Sequence, residues 1–76
     1  MITVKLFGLL RLDSGIREKQ MEAGTVKEVL DALEHCGIPR KDLESCIILV
    51  DGKSANKRSK LQNGETVVLM SPVAGG

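Results

Sequence analysis

The chain ends in SPVAGG, and the chemistry available at that end is that of a carboxylate carried on two glycines. A carboxylate is a poor electrophile until a good leaving group is attached to it, and adenylation is the usual activation. Glycine has no side chain and accepts almost any backbone conformation, so Gly75 and Gly76 suit a narrow channel. We therefore expect Gly76 to be the reacting residue and the tail to be the substrate of another enzyme.

The residues that precede the glycines agree with this interpretation. Ala74 is nearly as small as glycine, and Pro72 cannot extend a ladder because it has no N–H. We predict a folded domain over residues 1–70 and a flexible C-terminal tail over residues 71–76. A frayed terminus of small residues is the plain alternative.

Composition predicts one small globular domain, with 76 residues, 42% hydrophobic residues and a net charge of +1. Phe7 is the only aromatic residue, which leaves no stacking platform for single-stranded nucleic acid. The first residues lack the apolar run of a signal peptide, and no stretch approaches the roughly 20 apolar residues of a membrane span. We expect a cytoplasmic protein that binds neither nucleic acid nor membrane.

The first half of the chain predicts two strands and a helix. Residues 2–7 alternate as in a strand with one buried face, and the polar segment 16–22 predicts an edge strand that closes a hairpin with it through turn residues 13–15. Thr25 and Glu28 form a capping box at a helix start. The apolar stripe of that helix comprises Val26, Val29, Leu30, Leu33 and Cys36.

The second half predicts two more strands. Gly37 and Pro39 end the helix, and a loop or helical turn follows over residues 39–45. The apolar runs 46–50 and 66–70 predict strands, the first of them covered on both faces, and the polar connection between them has room for one short strand. One main helix across one face of a mixed four- to five-stranded sheet is an α+β roll of the β-grasp (ubiquitin-like) type.

Such a fold leaves one question about its second face. The runs 46–50 and 66–70 offer apolar residues to both faces of the sheet, and Phe7 lies opposite the buried residues of its strand. Either apolar surface is left over as a partner site, or the long loop of residues 51–65 folds over it.

The sequence contains no catalytic or metal-binding constellation. His35 and Cys36 have only Cys46 as a further soft donor, ten positions beyond Cys36. We expect both cysteines to be reduced and structural, and no metal or cofactor to be bound by the chain itself. The acidic residues have the pattern of a solvated surface: Asp31, Glu34, Asp42 and Glu44. Four basic residues predict a solvated loop or an electrostatic rim for an acidic partner: Lys53, Lys57, Arg58 and Lys60.

Five segments carry a resemblance to a known family: VKLFGLLR at 4–11, GTVKEVLDAL at 24–33, LVDGK at 49–53, LQNGETVVL at 61–69 and PVAGG at 72–76. Over essentially its whole length the chain resembles the ubiquitin-like sulfur carriers, and most closely the small subunit of molybdopterin synthase. The final strand of that family usually runs into an aromatic residue and two prolines. This chain has Met70, Ser71 and Pro72 there instead.

The resemblance implies a carrier that is not an enzyme by itself. A ubiquitin-activating-like enzyme would use ATP to adenylate Gly76, and a sulfur donor protein with a persulfide would convert it to a thiocarboxylate. The large subunit of molybdopterin synthase would then take the sulfur for the dithiolene of molybdopterin, which binds molybdenum or tungsten. The implied partner-binding residues are Gly75, Ala74, Val73, Pro72, Met70 and Phe7.

Other fates of the same activated terminus remain open. The carrier could serve thiamine thiazole synthesis, or it could be a protein modifier that forms isopeptide bonds with lysines. A third alternative is a binding module whose tail is inert. A modifier gives conjugates of higher mass, whereas a dedicated carrier gives a mass gain of one sulfur-for-oxygen exchange.

Overall fold

The computed structural model describes residues 1–72, which form one five-stranded sheet and three helices. The predictions for residues 73–76 lie outside the described residues. In chain order the elements are β1 (Ile2–Phe7), α1 (Leu9–Ser14), β2 (Glu18–Met21), α2 (Val26–His35), α3 (Arg40–Glu44), β3 (Ile47–Val50), β4 (Lys53–Ser54) and β5 (Thr66–Met70).

The sheet is mixed, with strand order β2-β1-β5-β3-β4. β1 and β5 run parallel at its centre, and the other neighbours are antiparallel. β3 and β4 are joined by the two-residue turn Asp51 and Gly52, both with positive φ (49° and 83°), as in the hairpin turns that match strand twist. The predicted α+β roll of the β-grasp type is confirmed, and its sheet has five strands.

The core lies between α2 and one face of the sheet. β1 and β5 bury alternate residues, as their period of two predicts, and α2 buries one stripe. Leu61, from the long polar connection, also enters this core. The buried hydrophobic residues are Ile2, Val4, Leu6, Leu10, Val26, Val29, Leu30, Leu33, Ile38, Leu43, Leu61, Val67 and Leu69.

The predicted capping box at the start of α2 is confirmed. Thr25 Oγ1 accepts a hydrogen bond from the Glu28 N–H at 3.3 Å, and Glu28 Oε1 accepts one from the Thr25 N–H at 3.2 Å. Each side chain satisfies an amide that the helix start leaves without a partner. A helix predicted from local pattern therefore begins where expected.

The prediction that Cys36 lies on the buried stripe of α2 is wrong, because Cys36 is exposed. The helix ends in a Schellman motif, in which the Gly37 N–H donates to Glu34 O and the Ile38 N–H donates to Leu33 O. Gly37 has φ 105°, which turns the chain so that Ile38 reaches the core, where it is 4% exposed. Ile38 thus occupies the place that the helical spacing assigned to Cys36.

The predicted tight hairpin between β1 and β2 contains a short helix, α1. β2 is an edge strand antiparallel to β1, as predicted, but residues 9–14 are helical and not a turn. Leu10 anchors α1 in the core, and Gly15 ends it in the left-handed conformation at φ 74°. Ser14 Oγ donates to Leu10 O at 2.6 Å, so this turn-forming residue instead closes the last helical turn.

The prediction that the strand at 46–50 is covered on both faces is also wrong. Ile48 and Val50 pack against the core, whereas Ile47 points to the other face and is 46% exposed. The segment after Pro39 is the predicted helical turn, α3, and Leu43 is its buried anchor.

Candidate functional site

The sheet face opposite α2 carries a row of apolar side chains across its three middle strands. Met70 of β5 is in register with Phe7 of β1 on one side and with Ile47 of β3 on the other. Phe7 is 41% exposed and Ile47 is 46% exposed, while Met70 between them is half-buried. Side chains in register on neighbouring strands lie side by side on one face, so the three form a continuous strip.

A second row lies next to this strip. Val68 of β5 is in register with Leu49 of β3 and with Lys5 of β1, and all three are half-buried. We refer to the apolar members of the two rows as the open-face patch, which consists of Phe7, Ile47, Leu49, Val68 and Met70.

The long polar connection does not fold over this patch. Residues 55–61 run along the start of α2, where the Val26 N–H donates to Ser59 O at 3.0 Å and the Lys27 N–H donates to Lys57 O at 3.0 Å. These carbonyls accept hydrogen bonds from amides that the helix start leaves without intrahelical partners, and the two bonds hold the loop against α2. Of the two predicted arrangements of the second face, the structure has the one with exposed apolar surface.

The open-face patch adjoins the beginning of the tail. Met70 is the last residue of β5, and the half-buried Ser71 and the exposed Pro72 follow it. The structure therefore places the predicted residues Phe7 and Met70 side by side, and the predicted Pro72 follows Met70 by two residues. The predicted residues Val73, Ala74, Gly75 and Gly76 lie outside the described part of the chain.

A basic rim borders the patch at Phe7. A cavity of about 270 Å³ is lined there by Lys5, Arg11 and Arg17, together with Glu18, Leu6 and Phe7. Three cationic side chains and one carboxylate give the basic rim a net positive charge, which favours binding of an acidic surface on a partner. Sequence reasoning missed Arg11 and Arg17 because Arg11 lies on α1 and Arg17 in the connection to β2, and neither has an adjacent basic residue in the chain.

The acidic side chains on the α2 and α3 surface form a network of ion pairs around Arg40. The Arg40 guanidinium contacts Asp31 at 2.7 Å and Glu44 at 2.9 Å, while Lys27 and Lys57 pair with the same two carboxylates. Hydrogen bonds from Arg40 and then from Lys27 lower the pKa of Asp31. Hydrogen bonds from Lys57 and then from Arg40 lower the pKa of Glu44. Acids held ionised in this way are poor general acids near neutral pH.

The two cysteines differ in burial. The half-buried Cys46 Sγ donates to Leu43 O at 3.0 Å, and burial raises the pKa of this thiol, so little of the reactive thiolate forms at neutral pH. Cys36 is an exposed thiol at the end of α2. Within residues 1–72, no group of three His, Cys, Asp or Glu side chains is arranged to hold a metal ion. None of the helices in this part of the chain is long and apolar enough to cross a bilayer.

A mixed sheet in the order β2-β1-β5-β3-β4, with its main helix on one face and an apolar patch on the other, is the fold of a ubiquitin-like β-grasp protein. The chain matches the ThiS family over residues 4–76 and belongs to that family of ubiquitin-like sulfur carriers or modifiers. A search of curated proteins gave no match.

Solved structures of the same fold cover nearly the whole chain. The SAMP1 protein of Haloferax volcanii is 25% identical, with a TM-score of 0.81 and coverage of 99% of this chain and 98% of that one. Subunits 1 and 2 of the molybdopterin-converting factor of Helicobacter pylori form a complex that contains a chain 24% identical (TM-score 0.75; coverage 99% and 97%). The BexX/CysO complex of Amycolatopsis orientalis contains one 20% identical (TM-score 0.79; coverage 100% of both chains).

Proposed function

We propose that this protein is a sulfur carrier whose C-terminal Gly76 is adenylated and then converted to a thiocarboxylate. The observation that carries the proposal is the position of the open-face patch, whose Phe7 and Met70 pair stands directly before the tail. An enzyme docked on the patch has the root of the tail beside it. Gly76 lies six residues beyond Met70, and six extended residues span about 20 Å, enough to reach a buried active site.

The chemistry proceeds by three displacements, the first at phosphorus, the second at the acyl carbon of Gly76 and the third at sulfur. A carboxylate oxygen of Gly76 attacks the α-phosphorus of ATP and expels pyrophosphate, which leaves an acyl adenylate with AMP as a good leaving group. A donor persulfide attacks the acyl carbon and expels AMP. A thiol then reduces the acyl disulfide, releasing the thiocarboxylate and a disulfide.

In this proposal the chain supplies the substrate group and the docking surface, and its partners supply the catalysis. The ubiquitin-activating-like enzyme binds ATP, and the sulfur donor protein brings the persulfide. The ion-paired carboxylates around Arg40 and the protonated Cys46 thiol agree with this division, because neither is suited to acid–base or nucleophilic work at neutral pH.

The tail residues have distinct roles in the proposal. Gly76 carries the reacting carbon, Gly75 and Ala74 pass the narrowest part of the channel, and Val73 fills its entrance. Pro72 keeps the chain from continuing the ladder of β5, because it has no N–H to donate.

We propose molybdopterin synthesis as the destination of the sulfur. The support is the resemblance of five segments, above all PVAGG at 72–76, to the small subunit of molybdopterin synthase. The large subunit would dock on the open-face patch after the activating enzyme has left it. Two successive thiocarboxylates would supply the two sulfurs of the dithiolene.

A second candidate is protein modification. It is favoured by the similarity to SAMP1 of Haloferax volcanii, whose homologue from Methanosarcina acetivorans is named a small archaeal modifier protein. The same acyl adenylate would then react with a lysine amine and form an isopeptide bond.

The test is intact-mass spectrometry of the purified chain after incubation with the adenylating enzyme of the same organism, ATP and sodium sulfide. Sulfide attacks the acyl adenylate directly and expels AMP, so no reductant is needed. We expect a mass gain of one sulfur-for-oxygen exchange, dependent on ATP. An unchanged mass, with the enzyme shown to be active on another carrier, would refute the proposal.

A second assay separates the two fates. The thiocarboxylate form is mixed with the large synthase subunit and cyclic pyranopterin precursor, and dithiolene formation is measured alongside higher-mass conjugates in a cell lysate. Formation of the dithiolene supports molybdopterin synthesis. Conjugates without dithiolene would favour the modifier.

A further inference from the structure

The root of the tail is hydrogen-bonded to the start of α1. The Leu9 N–H donates to Ser71 Oγ at 2.8 Å, a contact between residues 62 positions apart in the chain. Leu9 is the first residue of α1, and its N–H is one of the amides that a helix start leaves without an intrahelical partner. Gly8 precedes the helix and has no side chain to cap it. Ser71 therefore caps α1 from the far end of the sequence.

Gly8 fits closely against the same hydroxyl. Its backbone has φ 68° and ψ −143°, a conformation that is essentially confined to glycine. A Cβ on residue 8 would also lie 2.3 Å from Ser71 Oγ, so a side chain there would force this hydroxyl out of its present position. Glycine is thus required at this position both for the turn and for the approach of Ser71.

The contact stands where the parallel ladder ends. Phe7 and Met70 are the last paired residues of β1 and β5. Gly8 and Ser71 are the residues that directly follow these two strands. β1 turns away there into α1, so backbone pairing cannot continue. Beyond the last ladder pair, the hydrogen bond from the Leu9 N–H to the Ser71 hydroxyl connects the segment after β1 to the segment after β5.

We propose that the Ser71 hydroxyl is a positioning group that fixes the direction in which the tail leaves the sheet. The inference rests on the proposed function, because it concerns the delivery of Gly76 to an activating enzyme docked on the open-face patch. Ser71 does not touch the reacting atoms, and it acts through the backbone that follows it.

The length of the tail makes its starting direction important. Ser71 and Gly76 are five residues apart, which corresponds to about 17 Å when the chain is extended. For a tail held extended, a rotation of about 10° at the root moves the far end by about 3 Å, and a misplacement of about 1 Å can cost on the order of 10²-fold in rate. Without the hydrogen bond the enzyme still docks on the patch. The tail then leaves the sheet in a wider range of directions, and fewer of them bring the Gly76 carboxylate to the attacking position.

The test compares Ser71→Ala with Ser71→Thr, which keeps a hydroxyl, and with the matched control Ser45→Ala. Ser45 lines the same cavity of about 210 Å³ as Ser71 and Pro72, but its Oγ donates to Asp42 O and not to a group of α1. Pyrophosphate release is measured with the adenylating enzyme and ATP while the concentration of the carrier is varied. Urea unfolding midpoints and hydrogen exchange at the Leu9 amide are measured on the same samples.

We expect Ser71→Ala to lower kcat roughly tenfold with KM unchanged, because the patch that docks is intact and only the approach of the carboxylate suffers. Ser71→Thr should restore kcat, Ser45→Ala should match the wild type, and the Leu9 amide should exchange faster in Ser71→Ala alone. Loss of the cap should itself lower the unfolding midpoint slightly, so kcat is measured at a temperature at which circular dichroism shows every variant to be folded. An unchanged kcat under these conditions, or a threonine variant as slow as the alanine variant, would overturn the inference. A wild-type chain that releases no pyrophosphate would instead refute the proposed function.

Discussion

Phe7 and Met70 are register partners in the parallel β1–β5 ladder, at the end of the sheet where the tail begins. Both side chains point away from α2, so the surface they form belongs to the open face and not to the core. Because β1 and β5 are parallel, the first strand of the chain and the last one end together. This arrangement places the apolar open-face patch and the root of the tail at one edge of the molecule.

Phe7→Ala is expected to weaken docking more than it weakens folding. Phe7 is 41% exposed, and aromatic residues that become buried in an interface often dominate binding. We expect KM for the carrier in the adenylation assay to rise at least about tenfold with kcat little changed, because docking is shared by the ground and transition states.

Gln20→Ala provides the matched control for Phe7→Ala. Gln20 is exposed on the same sheet face, but on the edge strand β2 and away from the patch. Its KM should stay within about twofold of the wild type, as for a substitution outside the energetic centre of an interface. A Phe7→Ala variant that docks as well as Gln20→Ala would contradict the assignment of the open-face patch.

Leu30→Ala tests the core beneath α2. Leu30 is fully buried, and removal of such a side chain costs about 2–5 kcal/mol in free energy of unfolding. A domain of this size has a small free energy of unfolding, so we expect the variant to be largely unfolded at 37 °C, as measured by circular dichroism. Leu12→Ala is the control, because Leu12 is 76% exposed and its loss should leave the urea midpoint nearly unchanged. Equal midpoints for the two variants would mean that the core is wrongly described.

The local features of this fold were predictable from sequence. The capping box at Thr25 and Glu28 and the stripe that includes Leu30 depend on residues within one or two turns of each other, so periodicity reveals them. The alternation of β1 likewise predicted that Phe7 would face away from the core. The patch could be anticipated to this extent, as surplus apolar residues on a sheet with one main helix.

The features that were missed depend on contacts or on a change of chain direction that periodicity does not reveal. α1 has a single buried anchor, and its first amide is satisfied by Ser71 from the other end of the chain, which no local pattern shows. Cys36 follows the helical spacing, but the turn at Gly37 ends the helix and brings Ile38 into its place. An uninterrupted apolar run such as that at Ile47 cannot indicate which face of a strand is bare.

The ion pairs around Arg40 predict a dependence of stability on pH. The pKa values of Asp31 and Glu44 are lowered from ordinary values of 3.8 and 4.5, so their contribution is complete above about pH 4.5 and is lost as the pH falls through the lowered values. We expect the urea midpoint of the wild type to fall over that acid range. Arg40→Gln should flatten this decline, and added salt should do so in part because the groups are solvent-exposed. An equally steep decline in Arg40→Gln would show that other carboxylates govern the acid sensitivity.

The two cysteines should differ in reactivity, and neither should be needed for sulfur transfer. Cys36 is exposed, whereas burial raises the pKa of the Cys46 thiol, so an alkylating reagent at neutral pH should modify Cys36 first. A double variant with Cys36→Ser and Cys46→Ala should still form the thiocarboxylate. Mass spectrometry measures both outcomes, and circular dichroism confirms the fold. Loss of thiocarboxylate in the folded double variant would mean that a cysteine carries sulfur during the reaction.

The last prediction concerns the end of the chain. Deletion of Gly76 should abolish thiocarboxylate formation, and one residue added after Gly76 should do the same, because the carboxylate then overshoots the attacking position and an error of about 1 Å can cost on the order of 10²-fold. Gly75→Val should slow activation through its bulk and restricted φ. We expect unchanged urea midpoints in all three, as for changes outside the core, and a residue added before Met1 serves as the control for chain length. Full conversion of the C-terminally extended chain would show that the adenylating enzyme does not recognise the position of the terminal carboxylate. The chain would then be better described as a binding module.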